Sequence, residues 1–129
     1  MARRPRIEYA GAFYHLISRG DHGEAICRDD EDRKRFLVCM GEVCRRTGWR
    51  IYAFVLMTNH YHLLLETPEP NLVAGMKWLQ GTYTQRFNRW HNLGEHLFQG
   101  RYKVLMIERG QDTFCRSAAI FTSIRSGWD

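Results

Sequence analysis

Met57-Thr-Asn-His-Tyr-His-Leu-Leu-Leu-Glu66 is the stretch on which both the fold and the chemistry turn. His60 and His62 stand two apart in a run of strand-forming residues, so both imidazoles leave the same face of a sheet. Tyr61, Leu63 and Leu65 leave the other face, at the spacing of a strand covered by helices. Two nitrogen ligands on one face of a rigid strand make two corners of a metal site, and a third ligand must come from elsewhere. The bland alternative is a pair of partly exposed histidines on an edge strand, because so short a motif recurs by chance.

Immediately upstream, Ile51 to Met57 is a continuous apolar run, which predicts a central strand covered on both faces. Thr58-Asn59 is a tight connection, so the histidine strand folds back on that run as a hairpin. Before it, Asp29, Asp30, Glu31 and Asp32 crowd the start of a helix, where carboxylates meet free backbone N–H groups and the positive dipole end. Phe36, Leu37, Met40, Val43 and Cys44 form its apolar stripe, Arg45 and Arg46 its last turn, and Gly48 its cap. Earlier still, residues 12–18 read as a strand with Phe13, His15 and Ile17 on one face. His15 reads as a half-buried strand histidine rather than a ligand.

Downstream, Thr67-Pro-Glu-Pro70 breaks the sheet and Asn71 caps a second helix. Leu72, Met76, Leu79, Tyr83 and Phe87 form its buried stripe, and Val104 to Ile107 form a fourth strand. A short helix is expected after Asp112. Strand, helix, strand, strand, helix, strand is the ferredoxin-like split βαβ order, an α+β fold. It implies a four-stranded antiparallel sheet with helices on one face and the histidines on the other.

The chain of 129 residues is expected to be a single domain, 44% hydrophobic and large enough for a core without disulfides or structural metal. Its formal charge of +5 and pI near 9.3 suit a polyanionic partner. Cys27, Cys39, Cys44 and Cys115 form no Cys-x-x-Cys pair, which excludes zinc-finger and thioredoxin readings. No signal peptide and no apolar stretch of membrane-spanning length is present, so a cytoplasmic protein with reduced thiols is expected. The arm Arg3-Arg-Pro-Arg6 suits phosphate neutralisation or a solvated tail equally well.

Five segments in order resemble the single-tyrosine HUH transposases, notably the branch associated with repetitive extragenic palindromes. They are Arg6-Ile-Glu-Tyr-Ala-Gly-Ala-Phe-Tyr-His15, Arg28-Asp-Asp-Glu-Asp32, Met57-Thr-Asn-His-Tyr-His62, Tyr83-Thr-Gln-Arg-Phe-Asn-Arg89 and Phe98-Gln-Gly-Arg-Tyr-Lys103. The resemblance implies that His60 and His62 hold Mg²⁺ or Mn²⁺ against the scissile phosphate of single-stranded or hairpin DNA. It also implies a helical tyrosine that attacks the phosphate and leaves a 5′-phosphotyrosyl link. Arg3, Arg4, Arg6, Lys77, Arg86, Arg89, Arg101 and Lys103 are the candidate phosphate contacts.

The departure is at the C-terminus. The family's late helix begins with a motif like Arg-Tyr-Ile-His-Leu-Asn-Pro-Val-Arg, whose tyrosine is the nucleophile and whose asparagine, one turn on, completes the metal site. No tyrosine follows Tyr102 in this chain. Back-translation of Ser117 to Trp128 nevertheless permits a shifted frame reading Arg-Tyr-Ile-His-Leu-Asn-Pro-Val-Arg-Met. The expectation is a frameshift near codons 114 to 117, with residues 114–129 an aberrant tail and the nucleophile lost. Tyr83 is the fallback nucleophile, although its place on the apolar stripe favours a core role. The alternative function is a non-catalytic, RRM-like binder that stacks bases on the open sheet face.

Overall fold

Two punctuation devices set the first helix. Asp29 accepts from the backbone N–H of Asp32 at 2.8 Å, and the Asp32 carboxylate reaches back to the N–H of Arg28 at 2.9 Å. This reciprocal arrangement satisfies two donors that the helix itself cannot. At the other end Gly48 takes a left-handed conformation, φ 79°, and returns its N–H to the Cys44 carbonyl. The helix between them, α1, spans Asp30–Thr47.

The computed structural model describes residues 8–94 and 96–107. Around α1 the order is β1 Ala12–Arg19, β2 Arg50–Leu56, β3 His60–Thr67, α2 Leu72–His91 and β4 Lys103–Ile107. The strands lie in the order β2-β3-β1-β4, every neighbouring pair antiparallel. This is the expected ferredoxin-like topology, with both helices against one face. Arg3, Arg4, Arg6, the helix expected after Asp112, and residues 114–129 lie outside the described residues. Among the described residues no helix is long and apolar enough to cross a membrane.

The alternation read from the histidine strand positions the core. Tyr61, Leu63 and Leu65 are fully buried beneath the helices, together with Tyr14 and Leu16 of β1. Phe36, Met40 and Val43 of α1 and Leu72, Met76, Leu79, Tyr83 and Phe87 of α2 close over them. Each such aliphatic or phenylalanine side chain contributes about 1.5–3 kcal/mol by leaving water. Across the helix pair, Arg86 forks onto Glu42 at 3.1 and 3.4 Å, and His91 reaches the buried Asp32 at 2.8 Å.

Three local expectations need correction. The apolar run of β2 is at the sheet edge rather than its centre, and Tyr52 and Phe54 are exposed. The inner places belong to β3 and β1, because β1 pairs with the free side of β3 and with β4. On α1, Leu37 is exposed and Cys39 is buried in its stead, since the stripe drifts around the cylinder at 3.6 residues per turn. Asn71 occupies the capping position of α2, yet its side chain makes no cap bond. It accepts from the Trp49 indole N–H at 2.9 Å and donates to the Thr47 carbonyl at 2.9 Å, tying α2 to the α1–β2 turn.

That tie brings the Trp49 indole against α2 at Gly75, where an added Cβ would collide with the ring. Gly75→Ala is therefore expected to destabilise the protein by about 1–3 kcal/mol, although alanine is the better helix former by roughly 1 kcal/mol. Urea unfolding checks this, and a midpoint equal to or above the parent's would refute the packing argument.

Candidate active site

His60 opens β3 directly after the Thr58-Asn59 turn, which is closed by the Met57 N–H donating to the His60 carbonyl at 2.8 Å. Because β3 is central, its open face has neighbours on both sides. In the sheet register Arg19 stands opposite His60, and Ile17 opposite His62. Val55 faces His62 from β2, and Lys103 faces Ile17 from β4. Opposed residues in an antiparallel sheet share a face, so Arg19, His60, His62 and Lys103 converge on one surface. His15 stands opposite Leu64 on that face and is the diagonal neighbour of His62.

The rings are held rather than loose. His60 Nδ1 lies 2.7 Å from Asn59 Oδ1. The Asn59 amide nitrogen donates to the Gly23 carbonyl at 3.4 Å, which orients its oxygen toward the ring. His60 Nδ1 is thus a donor and carries the proton. His62 Nδ1 lies 3.2 Å from Nε2 of His15. The His60 and His62 rings sit edge to face with centroids 5.3 Å apart.

Electrostatics keeps these rings neutral. Burial, followed by the neighbouring His15, His60 and Arg19, lowers the pKa of His62 to about 4. His60 is lowered by burial and then by Arg19, and His15 by burial. A neutral imidazole has the lone pair that a cation needs. His60, through Nε2, and His62 therefore fit two corners of a divalent-ion site. Among the described residues no set of three His, Cys, Asp or Glu side chains completes one.

The other candidates fall in different places. Arg101 and Lys103 are exposed on the segment that leads into β4. Backbone bonds from Asp21 N–H to the Leu97 carbonyl and from Gln99 N–H to the Arg19 carbonyl, both 2.8 Å, lay that segment beside the end of β1. Lys77, Arg86 and Arg89 belong to α2, in the layer opposite the histidines, where Lys77 and Arg89 are exposed. Tyr83 is fully buried, its hydroxyl donating to the Ile26 carbonyl at 2.6 Å, and burial raises its pKa far above the ordinary value.

Two residues of this face were missed from sequence, His15 as a partner of the pair and Arg19 as a cation. Their parity with Phe13 and Ile17 was readable in the strand. Their adjacency to the histidines was not, because it depends on β1 pairing with β3.

The same architecture occurs in known proteins. The chain spans all of its match to the structure of a REP-associated tyrosine transposase bound to a REP hairpin, with 15% identity, a TM-score of 0.76 and 76% of that chain covered. A putative transposase from Deinococcus radiodurans R1 superposes with a TM-score of 0.63 at 20% identity over 97% of both chains. No curated protein sequence matches. The family model described as "Transposase IS200 like" matches residues 9–115, a span holding every strand and helix described above. With its paired histidines on the central strand of that domain, this chain belongs to the IS200-like transposases.

Proposed function

We propose that this chain descends from a metal-dependent, single-stranded DNA transposase that acts on hairpin-forming ends, and that it retains DNA binding without strand cleavage. The observation that carries the reading is the neutral His60–His62 pair in the same surface as Arg19 and Lys103. A bound Mn²⁺ or Mg²⁺ would offset charge on the non-bridging oxygens of the scissile phosphate. His60 and His62 would hold that ion, and the nearby guanidinium and ammonium groups would hold the DNA backbone. In the complete reaction a tyrosine oxygen bonds to phosphorus, the bond to the 3′-oxygen breaks, and a 3′-hydroxyl and a 5′-phosphotyrosyl link remain. Residues 114–129 are proposed to be the out-of-frame remnant of the segment that supplied the tyrosine.

Of the proposed phosphate contacts, Lys103 shares the histidine face across Ile17, Arg101 is exposed on the segment leading into β4, and Arg19 joins them. Arg3, Arg4 and Arg6 extend the set through the N-terminal arm, and Lys77 and Arg89 supply a second basic surface on α2. Arg86 contributes least, because Glu42 already takes its guanidinium. In the alternative of base stacking on the open face, the exposed aromatic is Tyr52, stacked on Phe13, because His15, Val55, Leu64 and Ile107 are buried there.

A fluorescent hairpin with a single-stranded flank should bind, with affinity falling on a log–log salt plot by about 0.7 per single-strand phosphate contacted. Replacing Arg19 and Lys103 by alanine should flatten that slope by about two contacts, or roughly 1.4. Affinity independent of salt, or no binding at low salt, would sink the reading.

A further inference from the structure

The imidazole of His15 takes part in no step so far described, yet it lies within hydrogen-bond distance of the inner nitrogen of His62. Its Nε2 lies 3.2 Å from His62 Nδ1, with ring centroids 5.4 Å apart and planes tilted by 37°. His15 is 9% exposed and sits in the middle of β1, bracketed by the β3 and β4 pairings, so its backbone is fixed on both sides. Between two neutral imidazoles such a contact admits two arrangements. Either His62 Nδ1 donates and His15 Nε2 accepts, or the reverse. Only the first leaves the lone pair of His62 on Nε2.

His60 shows the matching arrangement at the other ring. Asn59 Oδ1, 2.7 Å away, can only accept, so His60 carries its proton on Nδ1 and has its lone pair on Nε2. With Nδ1 engaged by His15, His62 meets an ion through Nε2 only when Nδ1 carries the proton, and hydrogen bonding at the inner nitrogen is how proteins select that tautomer.

We propose that His15 is a positioning residue for the cation site: its Nε2 accepts from Nδ1–H of His62 and so holds His62 in the tautomer whose Nε2 can bind a divalent ion. His15 itself is then the Nδ1–H tautomer and does not touch the ion. Asn59 and His15 are equivalent devices, one for each ligand, supplied by the turn before β3 and by the strand beside it. The proposal rests on the metal-site reading above for its purpose, but the tautomer it assigns does not require metal.

The test uses the full chain labelled with ¹⁵N-histidine. Long-range ¹H–¹⁵N correlation spectra of the metal-free protein distinguish Nδ1–H from Nε2–H for each ring. His62 should be Nδ1–H in the parent and in His15→Gln, whose side-chain oxygen can accept from the same direction. In His15→Leu, which fills the space without an acceptor, the Nε2–H form should become dominant. Calorimetric titration with Mn²⁺ should show affinity lowered about 10-fold or more in His15→Leu and largely restored in His15→Gln. An Nε2–H His62 in the parent overturns the proposal without any variant. So does a His15→Leu protein with unchanged tautomer and affinity. His15→Gln binding as poorly as His15→Leu overturns it too, because the imidazole would then be a ligand. A parent that binds no Mn²⁺ but shows the Nδ1–H tautomer defeats the metal reading and leaves the assignment of the His15–His62 bond standing.

Discussion

The 129-residue chain should form no covalent adduct with a labelled hairpin oligonucleotide in Mn²⁺, whereas a variant with the reading frame restored after codon 113 should form one. Attack requires a hydroxyl in line with the leaving 3′-oxygen, about 3 to 3.5 Å from phosphorus. All six tyrosines of the chain are in the described part, and none meets this demand at the histidines. Tyr14, Tyr61 and Tyr83 are fully buried on the helix side of the sheet. Tyr102 packs against the same core. Tyr9 precedes the end of β1 that pairs with Thr67, at the far end of β3 from His60. Tyr52 does lie on the open face, stacked on Phe13, but its hydroxyl donates to Glu66 at 2.8 Å. Glu66 is four residues beyond His62, or about 13 Å along the strand at roughly 3.3 Å per residue. A denaturing gel reads the result directly. A shifted band from the unaltered chain, lost in Tyr83→Phe, would mean that a buried core tyrosine becomes the nucleophile and that the proposed loss is wrong.

Removing either histidine should abolish calorimetrically detectable Mn²⁺ binding. The effect is expected to be all-or-none because the parent site is already poor in ligands, with water left to fill the other positions. Among the described residues no carboxylate joins the two neutral imidazoles beside Arg19 to offset the charge of the ion, so each nitrogen lost removes half of what those residues contribute. Manganese should bind better than magnesium, which prefers oxygen ligands and dehydrates reluctantly. His60→Ala also strands the Asn59 amide, but that change is on an exposed turn, and unfolding curves should stay close to the parent's. If the double alanine variant binds Mn²⁺ as well as the parent, the ion is held elsewhere and His60 and His62 are surface histidines of a DNA-binding sheet.

What could be read along the chain was whatever depends on near neighbours. The caps at Asp29 and Gly48, the α2 stripe from Leu72 to Phe87 and the hairpin at Thr58-Asn59 are local physics, and the structure has them all. The parity of His60 and His62 against Tyr61, Leu63 and Leu65 also came from sequence, because strand side chains alternate with period two whatever the strand pairs with. Two of the errors share one cause. A continuous apolar run such as Ile51 to Met57 is compatible with a central or an edge strand, and only the pairing of β1 with β3 decides between them. Asn71 looked like a cap because a capping residue and a tertiary clamp use the same amide, and the indole that claims it is 22 residues away. The chain alone therefore determined the type of fold, the face that carries the histidines and the absence of a tyrosine after Tyr102. Apart from Asn59, which adjoins His60 in the chain, the partners of those histidines were decided by tertiary structure alone. His15 and Arg19 are more than 40 residues distant in sequence and become neighbours only through β1–β3 register, a long-range contact that no local periodicity encodes.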